Sequence, residues 1–289
     1  YSEVMKMRKS RIFFMIGAAA FAALFLFAGV TAYRQYADQK ESSAAFNEVA
    51  ELIRTAKTTL PDITQAESES EADTETAVNG ETDTEAALEQ SAYETYKDVF
   101  AANSDFVGWI SIDGTNINYP VMQTPGSPDF YLKRGFDKDY SDYGVPYVQE
   151  NCLIGQSDNC VIYGHHMKDG SIFADLCKYE SESFYREHPT IRFDTLAGFG
   201  EYEIVCVFKT VAYAEDGFKY YHFVDAENEE AFQAFIRSCQ ALALYDTGVS
   251  AEYGDKLITL STCEYSRTNG RMVVVAKRVI PSSTEESDA

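Results

Sequence analysis

The feature that most constrains this chain is an uncharged apolar run over residues 12–33, IFFMIGAAAFAALFLFAGVTAY. It has about the ~20 residues that a helix needs to cross a bilayer. Four basic residues precede it: Lys6, Arg8, Lys9 and Arg11. By the positive-inside rule we expect residues 1–11 in the cytoplasm and everything after the run outside the cell. A cleaved signal peptide shares the basic start, but its apolar core is shorter. We therefore predict a single-pass transmembrane anchor.

Residues 34–91 are predicted to form an extracellular stalk. Apolar residues at helical spacing between residues 38 and 60 indicate a polar helix. Residues 61–90 then hold ten Asp or Glu and no Lys or Arg. A segment of this composition buries too little apolar surface to fold, and its charges repel one another. We predict a disordered acidic linker there, which holds a folded domain away from the membrane.

Residues 92–280 have a globular composition, and residues 281–289, PSSTEESDA, are predicted to be a disordered tail. Two short apolar runs flank the turn Asp113-Gly114, and a long amphipathic helix is predicted over Glu227–Tyr245. Many short strands with few helices indicate a mainly β domain, a barrel or sandwich with helical insertions. The further predicted strands are Pro146–Val148, Cys160–Tyr163, Thr190–Phe193, Tyr202–Thr210, Lys256–Ser261 and Met272–Val279.

Charge and cysteine content exclude several classes of site. A formal net charge of −22 opposes nucleic-acid binding, because phosphate recognition needs a positive field. The six cysteines include no CxxC pair, and the four histidines lack zinc-ligand spacing, so we expect no metal ion and no cofactor. Cys152 and Cys160 are close enough in sequence for a local disulfide, and reduced thiols are the other interpretation.

One stretch near the C-terminus, KLITLSTCEYSRTNGRMVVVAKRV, carries the candidate chemistry. Cys263 ends one predicted strand and Arg271 begins the next, so an antiparallel hairpin would place them side by side. His165 or His166 follows the strand CVIYG. A catalytic thiolate needs a base, and the reaction needs a donor for the developing oxyanion. A structural cysteine, a polar loop and a solvated arginine would account for the same residues.

The motifs also carry a family resemblance. TLSTC followed by GRMVVVAK resembles the active-site signature of the sortases, cell-surface cysteine transpeptidases of Gram-positive bacteria. VIYGHHMKDGSIFADL and VGWISIDGTNINYPVMQ resemble the histidine segment and the N-terminal strands of class B. The resemblance runs from about Ala92 to Ile280 and includes the helix that class B inserts before its cysteine strand. It implies an eight-stranded sortase β-barrel preceded by one transmembrane helix.

The resemblance also implies individual roles. Cys263 would be the nucleophile, His165 rather than His166 the general acid and base, and Arg271 the third catalytic residue. Beside the nucleophile and before the inserted helix, three residues are predicted to contact substrate: Ser261, Thr262 and Tyr221.

The implied reaction is cleavage of a C-terminal sorting motif of a secreted protein after threonine, through a thioacyl-enzyme. The protein would then pass to an amine of the peptidoglycan precursor or to a pilin lysine. Two alternatives remain at this point. A papain-like cell-wall cysteine peptidase uses the same residue types, although it places its cysteine at a helix start ahead of the histidine. A non-enzymatic surface module would have a structural Cys263.

Overall fold

Eight strands close into a β-barrel in the computed structural model, which describes residues 2–59, 80–212 and 217–279. The predicted mainly β fold and its barrel are confirmed. Around the barrel the strands follow the order β1-β2-β3-β4-β7-β8-β6-β5. Their bounds are β1 Phe106–Ser111, β2 Asn118–Met122, β3 Tyr147–Val148, β4 Asn159–Tyr163, β5 Thr190–Thr195, β6 Glu201–Val211, β7 Leu257–Glu264 and β8 Gly270–Arg278.

Two parallel pairs determine where the strand ends meet. Strands β2 and β3 pair in parallel, and so do β4 and β7, with Tyr163 opposite Ser261. The other neighbours are antiparallel, including the β7–β8 hairpin. Because parallel strands end at the same edge of a sheet, the exits of β4 and β7 lie at one rim of the barrel.

The core lies inside the barrel and beneath its helices. Strand β8 is buried over residues 272–276, which read MVVVA, so both of its faces are covered. Helix α4, Glu229–Leu242, packs its apolar face on the barrel through Phe232, Phe235 and Ile236. It begins where the Asn228 side chain accepts from the Ala231 amide. It ends before the predicted Tyr245, because the Leu244 amide donates to Val207 O.

The N-terminal helix α1 spans Ser2–Thr59. Over residues 13–33 its side chains are exposed and almost all apolar, and the helix is long enough to cross a membrane. The predicted single N-terminal apolar helix is therefore present. Residues from Ala45 onward form one compact unit, and residues 1–44 form another.

The structure differs from the predicted domain boundaries in two respects. The end of α1 is not a free stalk, because Val49 and Ile53 are buried in the cluster that contains Trp109. Helix α2, Gly80–Ala102, includes residues 80–90, which we predicted as linker. The reason is local: EAALEQ consists of strong helix formers, and it runs directly into the buried helical face at Ala92, Tyr96 and Val99. Residues 61–79 and 281–289 lie outside the described residues.

Two other helical segments flank the candidate site. A 3-10 helix covers Ala174–Glu180, and α3 covers Glu182–Glu187. The 3-10 helix buries Leu176 and Tyr179 against the barrel. This packing fixes Cys177 next to the end of β7.

Candidate active site

The site begins where β4 leaves the sheet. The Gly164 amide donates to Ser261 O at 3.1 Å, and Thr262 Oγ1 donates to Gly164 O at 2.8 Å. Beyond this point β4 no longer runs beside β7. The next carbonyl on that edge of β7, that of Cys263, therefore bonds to side chains instead: His166 Nδ1 lies 2.9 Å from it and Cys177 Sγ 3.8 Å.

Cys263 and Arg271 face each other across the hairpin. They are direct partners in the β7–β8 register, which confirms the predicted proximity. Both side chains are half-buried, and Arg271 Nη1 donates to Gly270 O at 2.9 Å. A guanidinium stays charged at any working pH. The register places the permanently charged side chain and the half-buried thiol on the same face of the hairpin.

His165 is oriented by a backbone carbonyl. Its Nε2 lies 2.6 Å from Leu132 O, in the 3-10 turn Phe130–Lys133. A carbonyl oxygen only accepts, so Nε2 carries the proton and Nδ1 of the neutral ring is left as the acceptor. Burial lowers the pKa of the His165 imidazole, with a smaller contribution from Lys133, while the bond to Leu132 opposes the shift. The ring therefore favours the neutral form that a general base requires.

His166 has a different environment from His165. Its Nδ1 donates to Cys263 O, so this nitrogen holds the backbone of β7 rather than a reacting group. Tyr265 covers the ring at 5.0 Å between centroids and donates through its hydroxyl to His166 O at 3.1 Å. The structure thus gives the two histidines different hydrogen-bond partners, whereas the sequence alone offers no physical reason to choose between them as the base.

A charged network lies at the rim beside Cys263. The Glu264 carboxylate accepts from Ser266 N at 3.0 Å and Ser266 Oγ at 2.6 Å. Lys209 Nζ lies 3.6 Å from Glu264 and 2.7 Å from Glu180. Burial would raise the pKa of Glu264, but the Ser266 hydrogen bonds and Lys209 hold it below its ordinary value. Glu264 therefore stays ionised next to the candidate nucleophile.

The three predicted substrate contacts lie along or near β7. Ser261 and Thr262 are 1% and 2% exposed, and the Ser261 hydroxyl bonds to Tyr220 Oη at 2.6 Å. Their side chains thus bond within the protein and hold β7 in place. Tyr221, half-buried, follows in the 3-10 turn Tyr220–His222, and its carbonyl accepts from Gln149 Nε2 at 3.0 Å.

Sequence reasoning did not identify Leu132, Cys177 or Tyr265 as parts of this site. Leu132 is 33 residues from His165, and Cys177 is 86 residues from Cys263. Tyr265 lies in the predicted loop, but its contact with His166 spans 99 residues. Only the closed barrel brings these residues together, and no local spacing in the sequence indicates the contacts.

Comparisons with known proteins agree with this geometry. The sortase domain family matches residues 110–279. Sortase B of Staphylococcus aureus (strain NCTC 8325 / PS 47) is 35% identical over 178 residues, which cover 61% of this chain and 70% of that protein. Sortase B of Listeria monocytogenes serovar 1/2a is 32% identical over 190 residues, covering 63% of this chain and 73% of that protein.

The fold is shared as well. The solved Staphylococcus aureus sortase B–substrate complex superposes with a TM-score of 0.60 at 29% identity, covering 70% of this chain and 99% of that one. Cys263 lies near the end of a barrel strand and follows the histidines in the chain, so the papain-like alternative is wrong. Family membership likewise excludes the non-enzymatic module. This chain belongs to the sortase family of cysteine transpeptidases and is most similar to class B.

Proposed function

We propose that this sortase cleaves the C-terminal sorting motif of secreted proteins after threonine and transfers them to an amine at the cell wall. The observation that carries the proposal is the pairing of Cys263 with Arg271 at the rim where the exits of β4 and β7 meet. That pairing supplies a thiol and a fixed donor at one place. His165, at the exit of β4, supplies the base.

In the first half-reaction, Cys263 Sγ attacks the threonine carbonyl and the peptide bond breaks to leave a thioacyl-enzyme. His165 Nδ1 takes the proton of the attacking Cys263 thiol and passes it to the departing amine. Arg271 donates to the carbonyl oxygen as negative charge develops on it, and its planar fork of donors suits that geometry.

In the second half-reaction, an amine attacks the thioacyl carbonyl and Cys263 leaves as thiolate. His165 Nδ1 takes the proton from the attacking amine, which the Leu132 bond to Nε2 allows. A peptidoglycan-precursor amine is the acceptor we favour, because a solved sortase B structure is complexed with triglycine. A pilin lysine is the other acceptor of the same chemistry.

The anchor gives the orientation we propose. Basic residues precede the apolar run, so the N-terminus lies in the cytoplasm and the barrel outside. On this side of the membrane the barrel meets secreted substrates and cell-wall amines. Ser261, Thr262 and Tyr221 remain our predicted substrate contacts.

A peptide library with a fixed threonine, incubated with full-length protein and triglycine, tests the function. We expect new products in which triglycine is joined to threonine, identified by mass spectrometry. Cys263→Ala should abolish them while the circular dichroism spectrum stays the same. Replacing triglycine with a lysine peptide compares the two acceptor classes. Turnover by Cys263→Ala, or release of hydrolysed peptide alone, would contradict the proposal.

A further inference from the structure

Two of the six cysteines are reachable from solvent, and both lie at the active site. All six are free thiols within the described residues. Cys152, Cys160, Cys206 and Cys239 are at most 6% exposed, whereas Cys177 and Cys263 are half-buried. Reagents in solution therefore meet these two thiols first.

The two reachable residues are direct neighbours. Cys177 Sγ lies 3.8 Å from Cys263 O and 3.3 Å from His166 Nδ1. It approaches β7 from the edge that β4 has left, where backbone no longer separates the 3-10 helix from Cys263. Within Cys263, the sulfur is only a few covalent bonds from the carbonyl. The two sulfur atoms therefore belong to one small region at the end of β7.

The two thiols differ in reactivity. Burial, with Glu264 nearby and Cys263 as a smaller contributor, raises the pKa of Cys177 to about 11, so this thiol stays protonated. Cys263 has the guanidinium of Arg271 opposite it. Hydroperoxides attack thiolates rather than thiols, and Cys263 is the residue that the proposed reaction uses as its nucleophile, so oxidation begins there. Cys177 is then the second thiol, held at the backbone carbonyl of the oxidised residue.

We propose that Cys177 is the resolving thiol of Cys263, a role that rests on the proposed reactivity of Cys263. A hydroperoxide oxidises the Cys263 thiolate to sulfenic acid and is itself reduced to water or alcohol. Cys177 Sγ then attacks the Cys263 sulfur, forming the Cys177–Cys263 disulfide. The hydroxyl of the sulfenic acid leaves with the Cys177 proton as water.

The consequence is reversible protection of the nucleophile. A sulfenic acid without a neighbouring thiol proceeds to sulfinic acid, which ordinary reductants do not restore. Disulfide formation stops the oxidation at the sulfenic acid stage, and reduction of the disulfide restores the two thiols. Sortases work at the cell surface, where oxidants arrive without the reducing buffer of the cytosol.

Hydrogen peroxide treatment of the full-length protein in detergent tests this role. In wild type we expect a peptide that links Cys177 to Cys263, with the loss of two hydrogens, and recovery of most turnover after dithiothreitol. In Cys177→Ser, whose hydroxyl can still donate to Cys263 O, we expect two added oxygens on Cys263 and loss of most recoverable turnover. Each protein is compared with its own untreated activity.

Cys206→Ala is the matched control, because it removes a thiol that bonds to Cys239 O and not to the site. It should form the link and recover like wild type. Sulfinic acid at Cys263 of wild type without the link, or equal recovery by Cys177→Ser, would overturn the resolving role while leaving the proposed function intact. A Cys263 that reacts with neither peroxide nor iodoacetamide would overturn both.

Discussion

At the residue scale, the proposed chemistry depends on which nitrogen of each histidine is occupied. Leu132 O accepts from Nε2–H of His165, and Cys263 O accepts from Nδ1–H of His166. His165 is left with a free acceptor and a ring whose pKa is lowered by burial. His166 is bound to the backbone of the strand that carries the nucleophile. One histidine therefore suits proton transfer and the other suits positioning.

The first prediction separates these two histidines. His165→Gln should lower kcat/KM for triglycine transfer about a hundredfold or more, because proton transfer is lost. His166→Gln keeps an amide that can donate to Cys263 O, so it should retain a much larger share of activity. The measurement is initial rate with both variants folded. A larger loss in His166→Gln than in His165→Gln would contradict the assignment.

The second prediction concerns pH and follows from the lowered pKa of His165. The folded protein binds a proton at His165 less readily than the unfolded chain does, because in the unfolded chain the pKa of His165 has its ordinary value of 6.5. This contribution to stability is complete above 6.5 and is lost as the pH falls below it toward the folded pKa. The melting temperature, measured at a series of pH values in this window, should therefore fall more steeply with decreasing pH for wild type than for His165→Gln. Parallel curves would contradict the buried neutral ring.

The third prediction tests whether Arg271 acts by geometry. Lysine keeps the charge but loses the planar pair of donors. We expect Arg271→Lys to lower kcat/KM at least about tenfold, which corresponds to about 1.4 kcal/mol of transition-state stabilisation. The melting temperature should change little, because the Arg271 side chain is only half-buried and its hydrogen bond is to the neighbouring Gly270 O. A near-normal rate would mean that charge alone suffices.

At the scale of elements, the site is built where strands end rather than along them. Strand β4 stops at Tyr163, and the 3-10 helix and His166 occupy the edge of β7 that β4 leaves open. Gly164 makes this exit sharp, because a Cβ there would lie 2.6 Å from ring carbons of Phe173. The Phe173 amide in turn donates to His165 O at 2.9 Å, so the glycine, the ring and the proposed base form one packed unit.

The fourth prediction follows from that packing. Gly164→Ala should destabilise the fold by about 1–3 kcal/mol, because either Phe173 or the histidine segment must shift. It should also lower turnover, since His165 follows directly. Gly126→Ala is the matched control, because its Cβ would have nothing within 4 Å. Denaturant unfolding and initial rates measure both. Equal stability of the two variants would contradict the close packing.

The strands were predictable to within a few residues because short apolar runs bounded by turn residues are local signals. The pairing of Cys263 with Arg271 was predictable for the same reason, since a hairpin joins neighbours in sequence. The contacts of His165 with Leu132 and of Cys177 with Cys263 were not, because strand order decides them. Composition gave the wrong prediction for residues 80–90, which were expected to be disordered linker. Their helix propensity outweighed the acidic character of the segment.

At the scale of the whole molecule, a helix with an exposed apolar run and a β-barrel domain share one chain. The compact unit begins at Ala45, inside α1, so the end of this helix belongs to the domain. Phe46 packs edge-on against Tyr119 at 5.0 Å, and Val49 and Ile53 are 5% and 7% exposed. These residues cover part of the barrel around Trp109, and their removal would expose it to solvent.

The fifth prediction uses two shortened chains. A chain starting at Ala45 should be soluble without detergent and retain turnover, because the exposed apolar run is gone and the packed residues remain. A chain starting at Gln90 loses Val49 and Ile53 and should be less stable by about 2–4 kcal/mol, from the apolar area exposed. Denaturant unfolding compares them. Equal stability would mean that the end of α1 adds nothing to the domain.

The parallel pairing of β4 with β7 also affects how the chain matures. Tyr163 and Ser261 are partners in register although nearly a hundred residues separate them, so this pairing closes a much longer loop than the β7–β8 hairpin does. Until the barrel closes, Cys263 has no base beside it and no carbonyl-bound His166 to fix its strand. We expect turnover to appear only once this long-range strand pairing has formed.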